Sequence, residues 1–150
     1  MAGFRFRLAA SLSLAEQALT EAERQLAREL AGEIALQRLR EDHARLWQEA
    51  LAGQRAAGKA SPQDLGRWQA YARSRFAELQ RTEQSLQAQQ GKVAAARAAA
   101  ARAYREAEKL RRLKSRQQAA FLMAEQRREQ KILDEAGQVG FWQQRNGAAP

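Results

Sequence analysis

The chain is predicted to be all-α, with two long helices that form an antiparallel coiled-coil hairpin. Three observations predict this fold: apolar residues recur every seven positions in the second half, a glycine-containing stretch without apolar periodicity lies near position 57, and Ser61-Pro62 directly follows it. With 29% charged residues and a mean hydropathy of -0.69, the 150 residues suit one elongated helical domain better than a globule with a large core.

The first helix is predicted over residues 4–51, because its apolar residues keep mostly a 4-3 spacing. The pattern shifts near Gly32, where a weak point is expected. Arg5 and Arg7 ahead of an apolar run resemble a short signal peptide, but helix periodicity explains the same leucines, and no apolar run approaches the roughly 18 residues that span a bilayer. A soluble cytoplasmic protein is therefore expected. The predicted core positions of this helix are Leu8, Leu12, Ala15, Leu19, Ala22, Leu26, Leu30, Ile34, Leu39, Leu46 and Ala50.

A hinge is predicted over residues 52–61, because Gly53 and Gly58 lie there. The Ser61 hydroxyl is expected to cap the second helix, and Pro62 is expected at its first position. This helix is predicted over 62–137, with a frayed tail over 138–150 after Gly137 and Gly140. Its core positions are predicted to be Leu65, Ala72, Leu79, Leu86, Val93, Ala100 and Ala107.

A turn centred near position 57 predicts that residues whose numbers add to about 115 face each other across the hairpin. Leu8 would then face Ala107, and Trp47 would face Trp68. The second helix would lack a partner beyond Arg111 and would overhang the first at the end that carries both termini.

No catalytic or cofactor site is predicted. The chain has no Cys and a single His, which excludes disulfides, cysteine metal sites and histidine clusters. It has no Gly-rich phosphate loop, and its carboxylates lie beside Arg at helical spacings typical of solvated faces. The cluster Glu41-Asp42-His43 is interpreted as such a face. We therefore expect a non-enzyme that needs no cofactor and no metal.

Positive charge is concentrated in the second helix. Residues 1–50 carry seven basic and eight acidic residues, a net charge of −1, and residues 51–150 carry nineteen and nine, a net charge of +10. This favours an acidic protein partner or phosphates. A basic flank without a dedicated ligand stays open, as does nucleic acid, although only Tyr104 could stack bases there. An amphipathic membrane helix is disfavoured, because Phe141-Trp142 follow two glycines. The basic stripe comprises Arg102, Arg105, Lys109, Arg112 and Arg116.

Bulky rings cluster near the hinge at His43, Trp47, Trp68 and Tyr71. They are interpreted either as a plug for the end of a thin Leu/Ala core or as anchors for a partner, because Trp is a preferred interface residue.

The chain resembles the FliJ family, the small coiled-coil component of the flagellar type III export ATPase complex. The resemblance spans nearly the whole length. It rests on the opening Phe4-Arg5-Phe6-Arg7-Leu8, on the two-helix layout, and most specifically on the polar residues of the segment 124–135. That segment reads Ala124-Glu125-x-Arg127-x-x-Gln130-Lys131-x-x-Asp134-Glu135, and heptad packing does not dictate its polar residues.

The resemblance implies a cytoplasmic stalk that is peripheral to the inner membrane through its partners. In the family, the end with both termini enters a hexameric export ATPase and promotes its assembly and activity, and the protein couples the ATPase to the cytoplasmic domain of the export gate protein and binds export chaperones. The implied ATPase-binding residues are Arg116, Phe121, Arg127, Gln130, Lys131, Asp134 and Glu135. The implied gate-binding residues are His43, Trp47, Trp68 and Tyr71.

Two alternatives remain at this point. The stalk protein of virulence type III secretion is a close relative, and Asp64-Leu65-Gly66-Arg67-Trp68-Gln69 resembles the start of its second helix, whereas the motif at 124–135 favours the flagellar branch. A basic coiled coil that binds nucleic acid is the alternative from a different class.

Overall fold

Two long α-helices account for most of the protein in the computed structural model, which describes residues 3–147. Helix α1 spans Ala9–Ala60 and helix α2 spans Leu65–Gly147, joined by Ser61 and a 3-10 turn over Pro62–Asp64. No strand occurs in this part of the chain. Because the helices pack against each other in opposite directions, the predicted all-α antiparallel hairpin is confirmed.

Both ends of α1 differ from the prediction. The helix begins at Ala9 rather than Phe4, after a non-helical segment in which Phe6 is buried. It continues through the predicted hinge 52–61 to Ala60, because Ala, Arg, Gln and Lys are strong helix formers and Ala57 is buried. Two glycines at about 1 kcal/mol each do not outweigh these terms.

The turn between the helices is therefore shorter than predicted. The Ser61 amide donates to the carbonyl of Ala57 (2.9 Å), and the Asp64 amide donates to the carbonyl of Ser61 (3.0 Å). Pro62 opens the 3-10 turn rather than the second helix, which begins at Leu65 and not at 62 as predicted, and the Ser61 hydroxyl makes no capping hydrogen bond. Helix α2 passes through Gly137 and Gly140 without a break, because no proline interrupts it, so the frayed tail predicted from 138 is helical as far as Gly147, and 148–150 lie outside the described residues.

The described residues form two compact units, one of residues 17–104 and the other of residues 3–16 with 105–147. In the 17–104 unit, four of the predicted α2 core positions, Ala72, Leu79, Leu86 and Val93, are buried, whereas Leu65 and Ala100 are half-buried. Thr82 and Ala96, each three residues after one of these positions, are also buried.

The core positions of α1 are predicted less well. Ile34 is 49% exposed and Leu39 is 43% exposed, because the heptad spacing that begins at Leu26 continues without a shift past Gly32. Several half-buried positions of α1 are occupied by polar residues, Glu29, Glu33 and His43, instead of the expected leucines. Leu36 and Trp47 are half-buried as well.

The register of the 17–104 unit is displaced by one heptad from the prediction. The cross-helix contacts there join residues whose numbers add to between 118 and 123, as in Gln89 with Glu29 and Trp47 with Phe76. The turn is therefore centred on Ser61 rather than near 57. The predicted pairing of Trp47 with Trp68 is wrong, since Trp68 lies over Gly53.

The other unit contains the pairing nearest the termini. Phe6, Leu12 and Ala107 are buried there. Arg111 Nε donates to the carboxylate of Glu16 at 3.2 Å. The pairing continues past Arg111, beyond which no partner was predicted, because the non-helical segment before α1 packs along α2 and brings Phe4 to Phe121.

Candidate partner-binding surfaces

The paired part of the terminal unit ends near Phe121. The Phe4 and Phe121 rings lie 5.7 Å apart, and Phe121 and Glu125 are half-buried. Every residue from 126 to 147 is exposed, and we call this stretch the exposed segment. Its 22 helical residues extend about 33 Å at 1.5 Å per residue. The predicted overhang of α2 is thus confirmed, but it begins later than Arg111.

Large apolar side chains surround α2 in the exposed segment and the turn that precedes it. All of them are more than half exposed. At 3.6 residues per turn, they fall in four directions about the helix axis rather than in one stripe. Ile132 and Val139 lie in the first direction, Leu122 and Leu133 in the second, Met123 and Phe141 in the third, and Trp142 in the fourth. A helix that is apolar on several sides fits a partner that encloses it better than one that covers a single face.

Only some polar and charged residues of the exposed segment pair with a neighbour on the same helix. Gln130 Nε2 donates to Asp134 Oδ1 at 3.1 Å, and Arg128 pairs with Glu125 at 3.2 Å. The guanidinium group of Arg127 and the ammonium group of Lys131 have no acidic partner within residues 3–147. These two cations are therefore available to an external acidic group.

The seven predicted ATPase-binding residues all lie on α2, and the structure makes six of them exposed. Arg116, Arg127, Lys131 and Asp134 share one side of the helix, with Gln130 at its edge, whereas Glu135 lies further round. Phe121 is the exception, because the Phe4 ring covers part of it.

The basic stripe upstream is partly neutralised by its own helix. Lys109 pairs with Glu106 at 3.0 Å, and Arg112 pairs with Glu108 at 3.3 Å. Arg105 has no acidic partner within the described part of the chain. The stripe therefore presents less free positive charge than its composition suggests.

The aromatic residues near the turn form two neighbouring clusters. Trp47 contacts Phe76 with ring centroids 5.1 Å apart, and Trp68 meets Tyr71 edge-on at 6.0 Å. The guanidinium of Arg75 lies 5.5 Å from the centre of the Tyr71 ring. The structure thus pairs Trp68 with Tyr71 but separates them from Trp47, and we call residues 43–76 the turn end.

Phe76 and Arg75 are not among the predicted residues, because the predicted register placed Trp47 against Trp68. Phe76 is partly exposed beside a groove of about 310 Å³ that Trp47, Leu51 and Arg73 also line. His43, one helical turn before Trp47, is half-buried, and its Nδ1 has no hydrogen-bond partner. Aromatic surface and arginine side chains therefore alternate at the turn end, as at many protein interfaces.

The described residues contain neither a cluster that could hold a metal ion nor a helix that could span a membrane. Within residues 3–147, no three His, Asp or Glu side chains come together in a way that could hold an ion. Neither helix contains, over that same range, a stretch sufficiently long and apolar to cross a bilayer.

Comparison with known proteins identifies the family of this chain. The fold is similar to the structure of a proposed YscO homologue, CT670 from Chlamydia trachomatis, with a TM-score of 0.61 and 21% sequence identity over 98% of this chain and 100% of that one. A search of curated proteins found no match. The family model described as flagellar FliJ protein matches residues 4–146. The chain therefore belongs to the FliJ family, whose members are non-catalytic stalk components of type III export.

Proposed function

We propose that this protein is the stalk of a flagellar type III export apparatus and that its exposed segment enters the central pore of the hexameric export ATPase. The observation that carries the proposal is the segment 126–147, which continues α2 beyond its partner helix and has apolar side chains on several sides. An isolated helix gains little from apolar residues, so these side chains need an enclosing partner.

The same geometry supports a proposed role in promoting assembly and activity of the ATPase. A single helix in a sixfold pore cannot present the same residues to all six subunits. The apolar residues in several directions allow different subunits to be contacted at once, which favours the closed ring. The free cations Arg116, Arg127 and Lys131 add long-range attraction to acidic or carbonyl-lined pore walls.

The test compares two leucines of equal exposure. Leu133→Asp in the exposed segment should lower affinity for the purified export ATPase at least tenfold and remove its stimulation. Leu14→Asp on α1 is the matched control, because Leu14 and Leu133 are both 66% exposed, and it should leave binding unchanged. Equal loss with both variants, or no loss with Leu133→Asp, would overturn the proposal.

The turn end is proposed to contact the cytoplasmic domain of the export gate protein. His43, Trp47, Trp68 and Tyr71 supply aromatic surface there, and the Arg75 cation over the Tyr71 ring favours an acidic partner surface. Through both contacts the protein is proposed to couple the ATPase to the export gate from the cytoplasmic side of the inner membrane. Binding of export chaperones is proposed from family membership alone.

Two exposed tyrosines on α2 test the gate contact. Tyr71→Ala should weaken binding to the gate domain at least fivefold, whereas Tyr104→Ala should not, although Tyr104 is the more exposed of the two. ATPase binding by Tyr71→Ala should stay normal. Unchanged gate binding by Tyr71→Ala would show that the turn end is not the contact.

The virulence type III secretion stalk is the second candidate, because the fold also matches the proposed YscO homologue. Saturable binding to a virulence export ATPase but not to a flagellar one would favour it. Nucleic-acid binding is disfavoured by the internal ion pairs of Lys109 and Arg112. Affinity for DNA or RNA that collapses with salt, in the absence of ATPase binding, would support that alternative.

A further inference from the structure

Helix α1 contains a glycine directly beneath a tryptophan of α2. The Trp68 ring lies over Gly53 so closely that a methyl group at this position would overlap its six-membered ring. Gly53 is inside a continuous helix and is half-buried. Its role here is to give space to the opposing side chain.

A second glycine of α1 lies beneath a polar side chain of α2. Gln89 Nε2 donates to the backbone carbonyl of Glu29 at 2.9 Å and to Glu29 Oε2 at 2.6 Å. A methyl group on Gly32 would lie 3.0 Å from that nitrogen, which is tighter than ordinary van der Waals contact. The absence of a side chain at Gly32 therefore lets the amide of Gln89 reach the α1 backbone.

These two contacts form two layers of the helix pair, and the layers have the same spacing on both helices. Gly32 and Gly53 are three heptads apart along α1, and Gln89 and Trp68 are three heptads apart along α2. Both contacts are therefore satisfied together in one register and lost together when the helices slip by a heptad.

Most of the remaining core does not distinguish these registers. A shift of seven residues still sets core positions of one helix against core positions of the other, because these positions repeat at that interval. In the register with residue sums near 115, Gln89 would face Leu26 and Trp68 would face Trp47. The half-buried amide would lose both acceptors, which disfavours this register because a shielded polar group left unpaired is destabilising.

We propose that these two layers, Trp68 on Gly53 and Gln89 on Glu29 across Gly32, form a register lock that holds α1 and α2 in a single alignment. Buried polar residues specify alignment in coiled coils at some cost in stability. The lock prevents the helices from sliding along each other, so a displacement of one helix moves the other with it. This inference does not depend on the proposed function.

Cysteine trapping in the full-length, naturally cysteine-free chain tests the lock. Ala50 and Ala72 are both buried and are opposite in the observed register, so Ala50→Cys with Ala72→Cys reports that register. His43→Cys with Ala72→Cys reports a slip of one heptad toward the turn. Disulfides require Cα atoms within about 7 Å, which distinguishes the two alignments.

Each cysteine pair is placed in three backgrounds, and disulfide formation is followed by non-reducing gel shift. In the otherwise unchanged chain, the 50–72 disulfide should form at least tenfold faster than the 43–72 disulfide. Adding Gly53→Ala with Gln89→Leu should raise the 43–72 rate at least tenfold. Adding Gly91→Ala with Gln90→Leu is the control and should not, because Gly91 has open space around it and Gln90 is exposed.

A 43–72 rate in the Gly53→Ala, Gln89→Leu background that stays at the control value would overturn the proposal. If the chain with Gly53→Ala and Gln89→Leu loses its helical circular dichroism signal, the same rate is measured with Gln89→Leu alone. This variant keeps the packing of Trp68 on Gly53 and should raise the 43–72 rate at least threefold. No rise would equally refute the lock.

Discussion

Replacement by alanine is expected to change the stability of the fold differently at two mid-helix glycines, Gly91 and Gly32. Gly91 on α2 is exposed, and an added methyl group would meet nothing within 4 Å. Gly91→Ala should therefore stabilise the fold by about 0.5–1 kcal/mol, the usual helix gain over glycine. For a chain of this length, that corresponds to a rise in Tm of about 1–4 °C.

Gly32→Ala brings the same helix gain but disturbs a contact. Its methyl group would lie 3.0 Å from Gln89 Nε2 and 3.4 Å from the amide carbon, so the Gln89 side chain must move. The hydrogen bonds of 2.9 and 2.6 Å to Glu29 would then lengthen. Since a hydrogen bond to a charged group contributes about 1.5–3 kcal/mol, the net effect should be zero or destabilising.

A double-mutant cycle separates the two terms. In a Gln89→Ala background the methyl group has no amide to displace, so Gly32→Ala should recover a stabilisation of about 0.5–1 kcal/mol. Urea and thermal unfolding followed by circular dichroism would give the four free energies of unfolding. If Gly32→Ala stabilises the unaltered chain as much as Gly91→Ala does, the Gln89 contact contributes nothing and the reasoning fails.

Two further predictions concern the end that carries both termini. Phe4→Ala removes a ring contact worth about 0.5–1.5 kcal/mol beyond burial and should speed amide hydrogen exchange around Phe121 while leaving the turn end protected; unchanged exchange there would show that the contact does not hold the end of the pairing. Reversing the charges of Arg116, Arg127 and Lys131 together should abolish ATPase stimulation with helicity intact, whereas each single Ala substitution should cost only about 0–1 kcal/mol of binding. Salt at 1 M, where the screening length is about 3 Å, should mimic the triple reversal, and stimulation that persists in both cases would assign the contact to the apolar side chains instead.

The heptad pattern of α2 was predictable because its core is built from the sequence period itself. Ala72, Leu79, Leu86 and Val93 recur every seven residues, and all are buried. On α1 the same approach failed near Gly32, because leucines and isoleucine were assumed to be buried. Ile34 is exposed and Glu29 is half-buried, since Gln89 supplies Glu29 with a hydrogen-bond partner that only the opposite helix can provide.

The candidate surfaces were predictable to a similar degree. The residues of the motif at 124–135 are implied by the family resemblance, and their exposure follows from the greater length of α2. Phe76 and Arg75 were missed, and the cover of Phe4 on Phe121 was not foreseen. Each of these contacts joins side chains whose proximity depends on the pairing or local packing, which a periodic pattern does not specify.

The sequence by itself determined two helices, their antiparallel pairing, the helical turn that opens at Pro62 ahead of α2 and the excess length of α2, because these follow from local propensity and from a repeat of seven residues. Only the tertiary structure decided the register, since a core that repeats every seven residues is nearly unchanged by a shift of seven. The contacts that are not periodic, Trp68 on Gly53 and Gln89 on Glu29, distinguish the observed alignment from its neighbour. They depend on steric fit and hydrogen-bond geometry between residues distant in the chain, and these exist only once the two helices are side by side.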